Sequence, residues 1–192
     1  MTVYAIRNDG YDFQELDLEI DDFIDARPEG VDERLVMDFS LENYAMLSWW
    51  PTPDTEFVAI DDAAGAPIPD ICKWIDASLA LSAKAHRLLG DTLKPFGEFL
   101  PLTIRGEAFY IFNCLTLGKI NEDLCEKNIY KGQEAGIKSL VFDERDVADK
   151  LVFKTTYDSC MDLYCAERLK HIVEDYKLTG ILFSEKLAED FN

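Results

Sequence analysis

Histidine, basic residues and long apolar runs are what this 192-residue chain has least of. The two histidines, His86 and His171, lie on different predicted helices, and neither has a second histidine or a carboxylate at a metal-ligand spacing that reads as a known motif, so they read as residues at a helix surface or boundary, and no metal is expected. Nineteen Lys and Arg stand against 38 Asp and Glu, a formal charge of −19. Such a surface repels phosphate backbones, which argues against nucleic-acid binding; it attracts basic partners, and it also serves solubility alone. No apolar run approaches the ~20 residues of a membrane helix, and the amino terminus has neither the basic start nor the apolar centre of a signal peptide. The expectation is a cytoplasmic protein with no membrane partner. Cys72, Cys114, Cys125, Cys160 and Cys165 are odd in number, scattered and without a CxxC, which disfavours a disulfide framework or zinc knuckle and leaves small buried hydrophobes.

Motifs of catalysis and phosphate binding are missing as well. The chain contains no GxGxxG, GxxxxGK[ST] or GxSxG, so no cofactor is expected. Cys160 or Cys165 with His171 is a thiolate–imidazole pairing that chance explains. Asp21-Asp22 and Asp61-Asp62 lack the interleaved glycine and asparagine of a cation loop and read as solvated turns.

What the chain does have is a strand–helix–strand unit over Leu151 to Ser184. Leu169, Ile172, Val173 and Tyr176 recur at helical spacing with charged residues between them. Gly180 is expected to stop the helix before the short strand Ile181 to Phe183. Laying Ser82–Leu100 over Cys165–Phe183 matches Ala83 with Ala166, Lys94 with Lys177 and Gly97 with Gly180. Three identities fit two ordinary helix-to-strand connections somewhat better than an internal duplication, which stays open, and the period does not suggest a solenoid. Ser82 is the expected N-cap of the earlier helix. Residues 99–113 read as a hairpin turning at Gly106, with a return strand apolar on both faces and so central in its sheet. Cys114 to Ile137 reads as irregular or weakly helical. Ser139–Phe142 and Leu151–Lys154 read as strands around a charged turn or short helix at Asp143–Lys150.

Acidity is concentrated at the start. Met1 to Asp62 holds 17 acids and three bases, a formal −14. Met1–Ile6 reads as an opening strand closed by Asn8-Asp9-Gly10, and Leu16, Leu18 and Ile20 alternate with Glu15, Asp17, Glu19 and Asp21 as in a half-buried strand with a carboxylate-lined outer face. Leu35–Phe39 and Phe57–Ile60 read as further strands. Trp49 and Trp50 are adjacent, so on a strand one of them would reach the surface, while an irregular loop would pack both. Ala63 to Pro69 is the most linker-like stretch, which divides the chain into an acidic strand-rich lobe, 1–69, and an α+β scaffold, 70–192. The expected class is α+β, a mixed and largely antiparallel sheet carrying two helix–Gly–strand units.

The words Asp70-Ile71-Cys72-Lys73-Trp74, Leu81-Ser82-Ala83-Lys84-Ala85, Gly97-Glu98-Phe99-Leu100-Pro101-Leu102, Tyr110 with Asn113, and Leu163 to Lys170 leading to Leu178-Thr179-Gly180 together resemble the immunity proteins of bacterial polymorphic toxin systems. The nearest is the family numbered eleven, and the resemblance runs from Asp70 to Phe183. It implies an α+β cytosolic protein that binds and neutralises a cognate toxin protein and has no catalytic residues. Asp17, Glu19, Asp21 and Asp22, with Trp49 or Trp50 as an apolar anchor, are the candidate partner-binding residues, because an acidic patch steers a basic toxin and an aromatic supplies desolvated area. The alternatives are an enzyme with a carboxylate site and an adaptor that homodimerises; homo-oligomerisation stays open in either case.

Overall fold

In the computed structural model, which describes residues 2–9, 12–59 and 65–188, the expected hairpin is present and central. The strands are β1 (Val3–Asn8), β2 (Glu15–Asp17), β3 (Asp54–Val58), β4 (Ile71–Lys73), β5 (Ser78–Ser82), β6 (Gly97–Ile104), β7 (Glu107–Cys114), β8 (Glu126–Tyr130), β9 (Gln133–Ser139), β10 (Val152–Phe153), β11 (Tyr164–Ala166) and β12 (Ile181–Ser184). The helices are α1 (Glu33–Met37), α2 (Ala83–Leu93), α3 (Glu144–Val147) and α4 (Glu167–Asp175). Together they form an α+β fold with a six-stranded sheet, β2-β3-β6-β7-β5-β4, a four-stranded sheet, β10-β11-β1-β12, and a separate β8-β9 hairpin.

The two large sheets contain the same motif twice. β5 and β6 are both antiparallel to β7, so they run parallel to each other, joined by α2. In the same way β11 and β12 flank β1 and are joined by α4. β4 and β10 complete the two sets on the outer side of β5 and β11. The registers agree as well as the order. Ile111 pairs with Ala80 and Leu100, and Ala5 pairs with Tyr164 and Ser184, an equal chain separation around each helix. Backbone bonds repeat too: Ser82 N–H to Asp70 O at 2.9 Å corresponds to Ala166 N–H to Leu151 O at 3.0 Å, and Leu115 N–H to Phe96 O corresponds to Asp9 N–H to Gly180 O, both 3.0 Å.

This correspondence lies one residue away from the overlay suggested by sequence identity. It equates Ala85 with Leu169 and Leu89 with Val173, all four buried against one shared core, and puts Gly180 opposite Phe96 instead of Gly97. Burial of the helix face, not identity, is what the two copies have in common. The shared core takes the helix-bearing side of both sheets, including Ile6, Leu79, Leu81, Phe112 and Cys165. Behind the six-stranded sheet the amino-terminal segments pack Leu18, Phe23, Phe39 and Trp50 on Ala80, Leu100 and Ile111. Behind the four-stranded sheet, Leu140, Phe142 and Val147 pack on Ala5, Phe153 and Tyr164.

Several local expectations are corrected. Leu35–Phe39 lies in and just beyond α1 instead of a strand, because Asp32 accepts the Arg34 N–H and caps a helix there. The alternating stretch after Tyr11 is a strand only over β2; Ile20–Phe23 winds into a 3-10 turn that still points Ile20 and Phe23 inward. The stretch read as irregular over 114–137 contains β8 and the start of β9, whose turn, Lys131-Gly132, has φ of 51° and 82°. That is the same two-residue left-handed turn as Arg105-Gly106, φ 52° and 83°, in the β6–β7 hairpin. Pairing crosses the expected boundary at 63–69 in both sheets, since β1 sits between β11 and β12 while β3 extends β6. Gly10, Tyr11, Ile60, the Asp61-Asp62 pair and Ala63-Ala64 lie outside the described residues.

Gly180 is needed for a reason other than stopping α4. The left-handed residue after that helix is Lys177, φ 51°, with Lys177 N–H bonded to Glu174 O and Leu178 N–H to Val173 O. Tyr176 lies off the buried stripe and is 51% exposed. Gly180 itself, φ 103°, sits where the four-stranded sheet meets β4, and a Cβ there would fall 2.2 Å from the Ile71 carbonyl oxygen. Gly180→Ala should therefore cost roughly 2–4 kcal/mol in urea unfolding, whereas Lys177→Gly should be neutral or stabilise by up to about 1 kcal/mol. The reverse order of effects would contradict this assignment.

Candidate functional site

Alternation in the first third separates two jobs. Leu18, Ile20 and Phe23 go into the core, Leu16 packs at its margin, and Asp17, Glu19, Asp21 and Asp22 are all exposed. The acids are thus held outward by the anchoring of their neighbours. Trp74, in the β4–β5 connection, fixes this segment: its indole N–H donates to Leu18 O at 2.7 Å, and its ring stacks on Phe39 and meets Phe23 edge-on.

The two candidate aromatic anchors do not stand beside those acids at the surface. Trp50 is buried, its ring centroid 4.3 Å from that of Phe23 and its indole N–H donating to Pro101 O at 2.7 Å. Trp49 is half-buried against the same core, with its indole nitrogen enclosed. Both tryptophans hold the lobe onto β6 and its surroundings, so the anchor role assigned to Trp50 is withdrawn. An irregular connection frees adjacent residues from the opposite-face rule of a strand.

Polar staples complete the attachment. Glu98 accepts the Met46 N–H at 2.7 Å, the Leu47 N–H at 3.1 Å and the Asn113 amide at 2.9 Å, and Asn113 also donates to Tyr44 O at 3.0 Å. Asn43 donates to Leu115 O at 3.1 Å. Ser40 donates to Cys160 O at 2.9 Å, and the fully buried Lys154 reaches Ser40 O at 2.5 Å. Burial lowers the Lys154 pKa, with Cys114, Cys160 and Asp76 acting against that shift.

A group of ionisable residues that sequence spacing did not reveal surrounds this contact. Asp162 accepts from Arg7 and, at 2.8 Å, from Lys73. Asp76 is raised by burial, partly offset by Lys73 and Lys154. Asp158 accepts the Tyr164 hydroxyl at 2.6 Å. These residues come from β1, the end of β4, the two matching strand connections and β11, so only folding brings them together. The β10–β11 connection, 154–163, is longer than its counterpart, 74–77, and supplies Asp158 and Asp162. Its signal in the sequence was local at best, since Ser159 and Cys160 adopt left-handed φ of 60° and 57° without glycine.

Elsewhere the chemistry is sparse. An open cleft of about 710 Å³ lies between the end of α2, Ala148–Leu151 and the start of α4, lined by Asp91, Asp149 and Glu167 along with Lys150 and Arg168. Lys150 is tied to Asp146. Among the described residues no group of three or more His, Cys, Asp and Glu is placed to hold a metal ion. Cys72, Cys114, Cys160 and Cys165 are buried, as expected of small apolar residues, and burial raises their thiols, to about 12 for Cys72 and about 11 for Cys114 and Cys160. A raised thiol is a poor nucleophile, and Cys165 lies in the core while His171 is exposed. His86 stacks on Tyr110 at 3.7 Å, and burial lowers its pKa.

No helix among the described residues is long and apolar enough to cross a membrane. No protein-family model matches the chain, and no curated protein matches it in sequence.

Asp158 supplies a pH test of the buried group. Burial pushes its carboxyl up to about 6 from an ordinary 3.8, against the pull of the Tyr164 hydroxyl. The folded protein therefore holds this proton more tightly than the unfolded chain, so stability at this site falls as pH rises from about 4 through about 6. Asp158→Asn keeps an acceptor for Tyr164 and cannot ionise. Its stability relative to the wild type should improve by on the order of 2 kcal/mol between pH 4 and 7 in denaturant titrations. A difference that does not change with pH would contradict the burial of this charge.

Proposed function

We propose that the chain is a binding protein that neutralises a basic protein partner by direct contact, in the manner of an immunity protein and its cognate toxin, and that it works in the cytoplasm without catalysis. The observation that carries this reading is the exposed set Asp17, Glu19, Asp21 and Asp22 on a segment whose alternate residues are locked into the core. Charges held in place lose little freedom on binding and speed encounter with an oppositely charged surface. The resemblance of residues 70–183 to polymorphic-toxin immunity proteins points the same way and supplies the class of partner. The carboxylates that folding gathers for an enzyme with a carboxylate site are Asp76, Asp158 and Asp162 in the buried group and Asp91, Asp149 and Glu167 in the open cleft. Asp162 is committed to Arg7 and Lys73, and Asp158 to Tyr164. Among the described residues no comparable feature favours a homodimerising adaptor.

The test is the fourfold variant Asp17→Lys, Glu19→Lys, Asp21→Lys and Asp22→Lys, measured against the product of the neighbouring gene, which this reading expects to be a basic toxin domain. Binding and protection should be lost with the Tm within a few degrees of the wild type, because all four side chains are exposed. For the wild type, raising salt from 0.05 to 0.5 M should slow association roughly tenfold and change dissociation much less. Full binding by a stable fourfold variant, or an association rate indifferent to salt, would overturn the reading.

A further inference from the structure

Three exposed apolar side chains adjoin the Ser40–Lys154–Cys160 contact, one of the places where loop 38–47 meets the rest of the molecule. Ser40 bonds to Cys160 O and receives Lys154, Lys154 pairs in a backbone bridge with Leu117, and Asn43 bonds to Leu115 O. Ser40, Lys154 and Cys160 are buried beneath the junction. Their neighbours in chain or bridge, Leu41, Met161 and Leu117, are 44%, 60% and 42% exposed. Large apolar side chains left in water around a hydrogen-bonded base are the usual mark of an interaction surface.

Charge identifies the occupant. Loop 38–47 carries Asp38 and Glu42, both exposed, and no base. Lys73 and Arg7 are engaged with Asp162 and Lys154 points inward to Ser40, so of the nearby bases Lys119 stays exposed, against the two exposed acids of the loop. Beneath the surface the junction is tied to the acidic segment, since Trp74 bonds Leu18 O and stacks on Phe39, the neighbour of Ser40. The β8–β9 tip, by contrast, exposes Ile129 and Tyr130, consecutive on one strand and so directed to opposite faces, which gives no single surface.

We propose that this junction is the apolar centre of the partner-binding surface, with Leu41, Met161 and Leu117 receiving an aliphatic or aromatic knob and Asp38 and Glu42 meeting the lysines and arginines that ring it. The partner is a basic protein, which rests on the function proposed above. The junction takes the anchor role that Trp50 does not fill, and its hydrogen-bonded base keeps the side chains in position before contact.

The probe is a synthetic decapeptide of alternating lysine and leucine, followed by amide chemical shifts of the intact protein at 0.15 M salt, with decalysine for comparison. The mixed peptide should shift residues 38–43, 115–118 and 159–162 and bind at least tenfold more tightly than decalysine. Leu41→Ser with Met161→Gln should remove that advantage, whereas Tyr176→Ser with Leu182→Gln, equally exposed elsewhere, should keep it. Equal binding of the two peptides, or an undiminished advantage in the junction variant, overturns the proposal. A dimer in sedimentation that the junction variant abolishes also overturns it, because the occupant is then a second copy. None of these readings uses the toxin, so a failed toxin assay with a peptide-binding junction would refute the function and leave the surface standing.

Discussion

The insertion of β1 between β11 and β12 is the constraint on which the rest of the structure depends. Without Val3–Asn8 the four-stranded sheet would leave β11 and β12 unpaired on facing edges, and the shared core would lose Tyr4 and Ile6. Unpaired buried backbone groups cost about as much as lost hydrogen bonds, so the second motif cannot close from the carboxyl-terminal residues alone. In the first motif the middle strand, β7, follows directly after β6 through a two-residue turn. In the second it comes from the other end of the chain, and this long-range pairing makes the molecule one body.

The amino-terminal segments use that body as a platform. They bury Phe23, Phe39, Met46 and Trp50 behind the six-stranded sheet, and Glu98 and Asn113 satisfy their turning backbone. The Glu98 carboxylate gathers two backbone N–H groups and an amide, so each donor's position depends on the other two. Side-chain anchoring and backbone capping therefore reinforce each other. The outcome is an acidic outer surface whose shape is fixed from beneath, which suits rapid and selective association.

Sequence patterns revealed whichever features depend on neighbours in the chain. The hairpin at 99–113 followed from alternation and one glycine, the α2 cap from Ser82 and the outward acids from their spacing, and each agrees with the coordinates. What required distant residues was hidden. Gly180 looks like a helix terminator because Leu178 and Tyr176 precede it, yet its role is the approach of Ile71 from another sheet. The two motifs share a pattern of burial and register, which identity counting misplaced by one residue. Asp76, Asp158 and Asp162 are anonymous in a chain full of carboxylates, and only folding sets Asp76 and Asp162 beside Lys73, Lys154 and Arg7, and Asp158 beside the Tyr164 hydroxyl. Adjacent tryptophans near prolines give no local sign of which way each faces; the irregular connection, the alternative to a strand, turns Trp50 inward.

Native-state hydrogen exchange tests the central claim, that β1 closes a single cooperative body on which the acidic surface is mounted. The amides of β1 that bond to β11 and β12 should exchange only on global unfolding, at the same free energy as those of β5 and β7. Exchange of β1 at a much lower free energy, while β5 and β7 stay protected, would show that the amino-terminal strand is a loose attachment and would contradict the account.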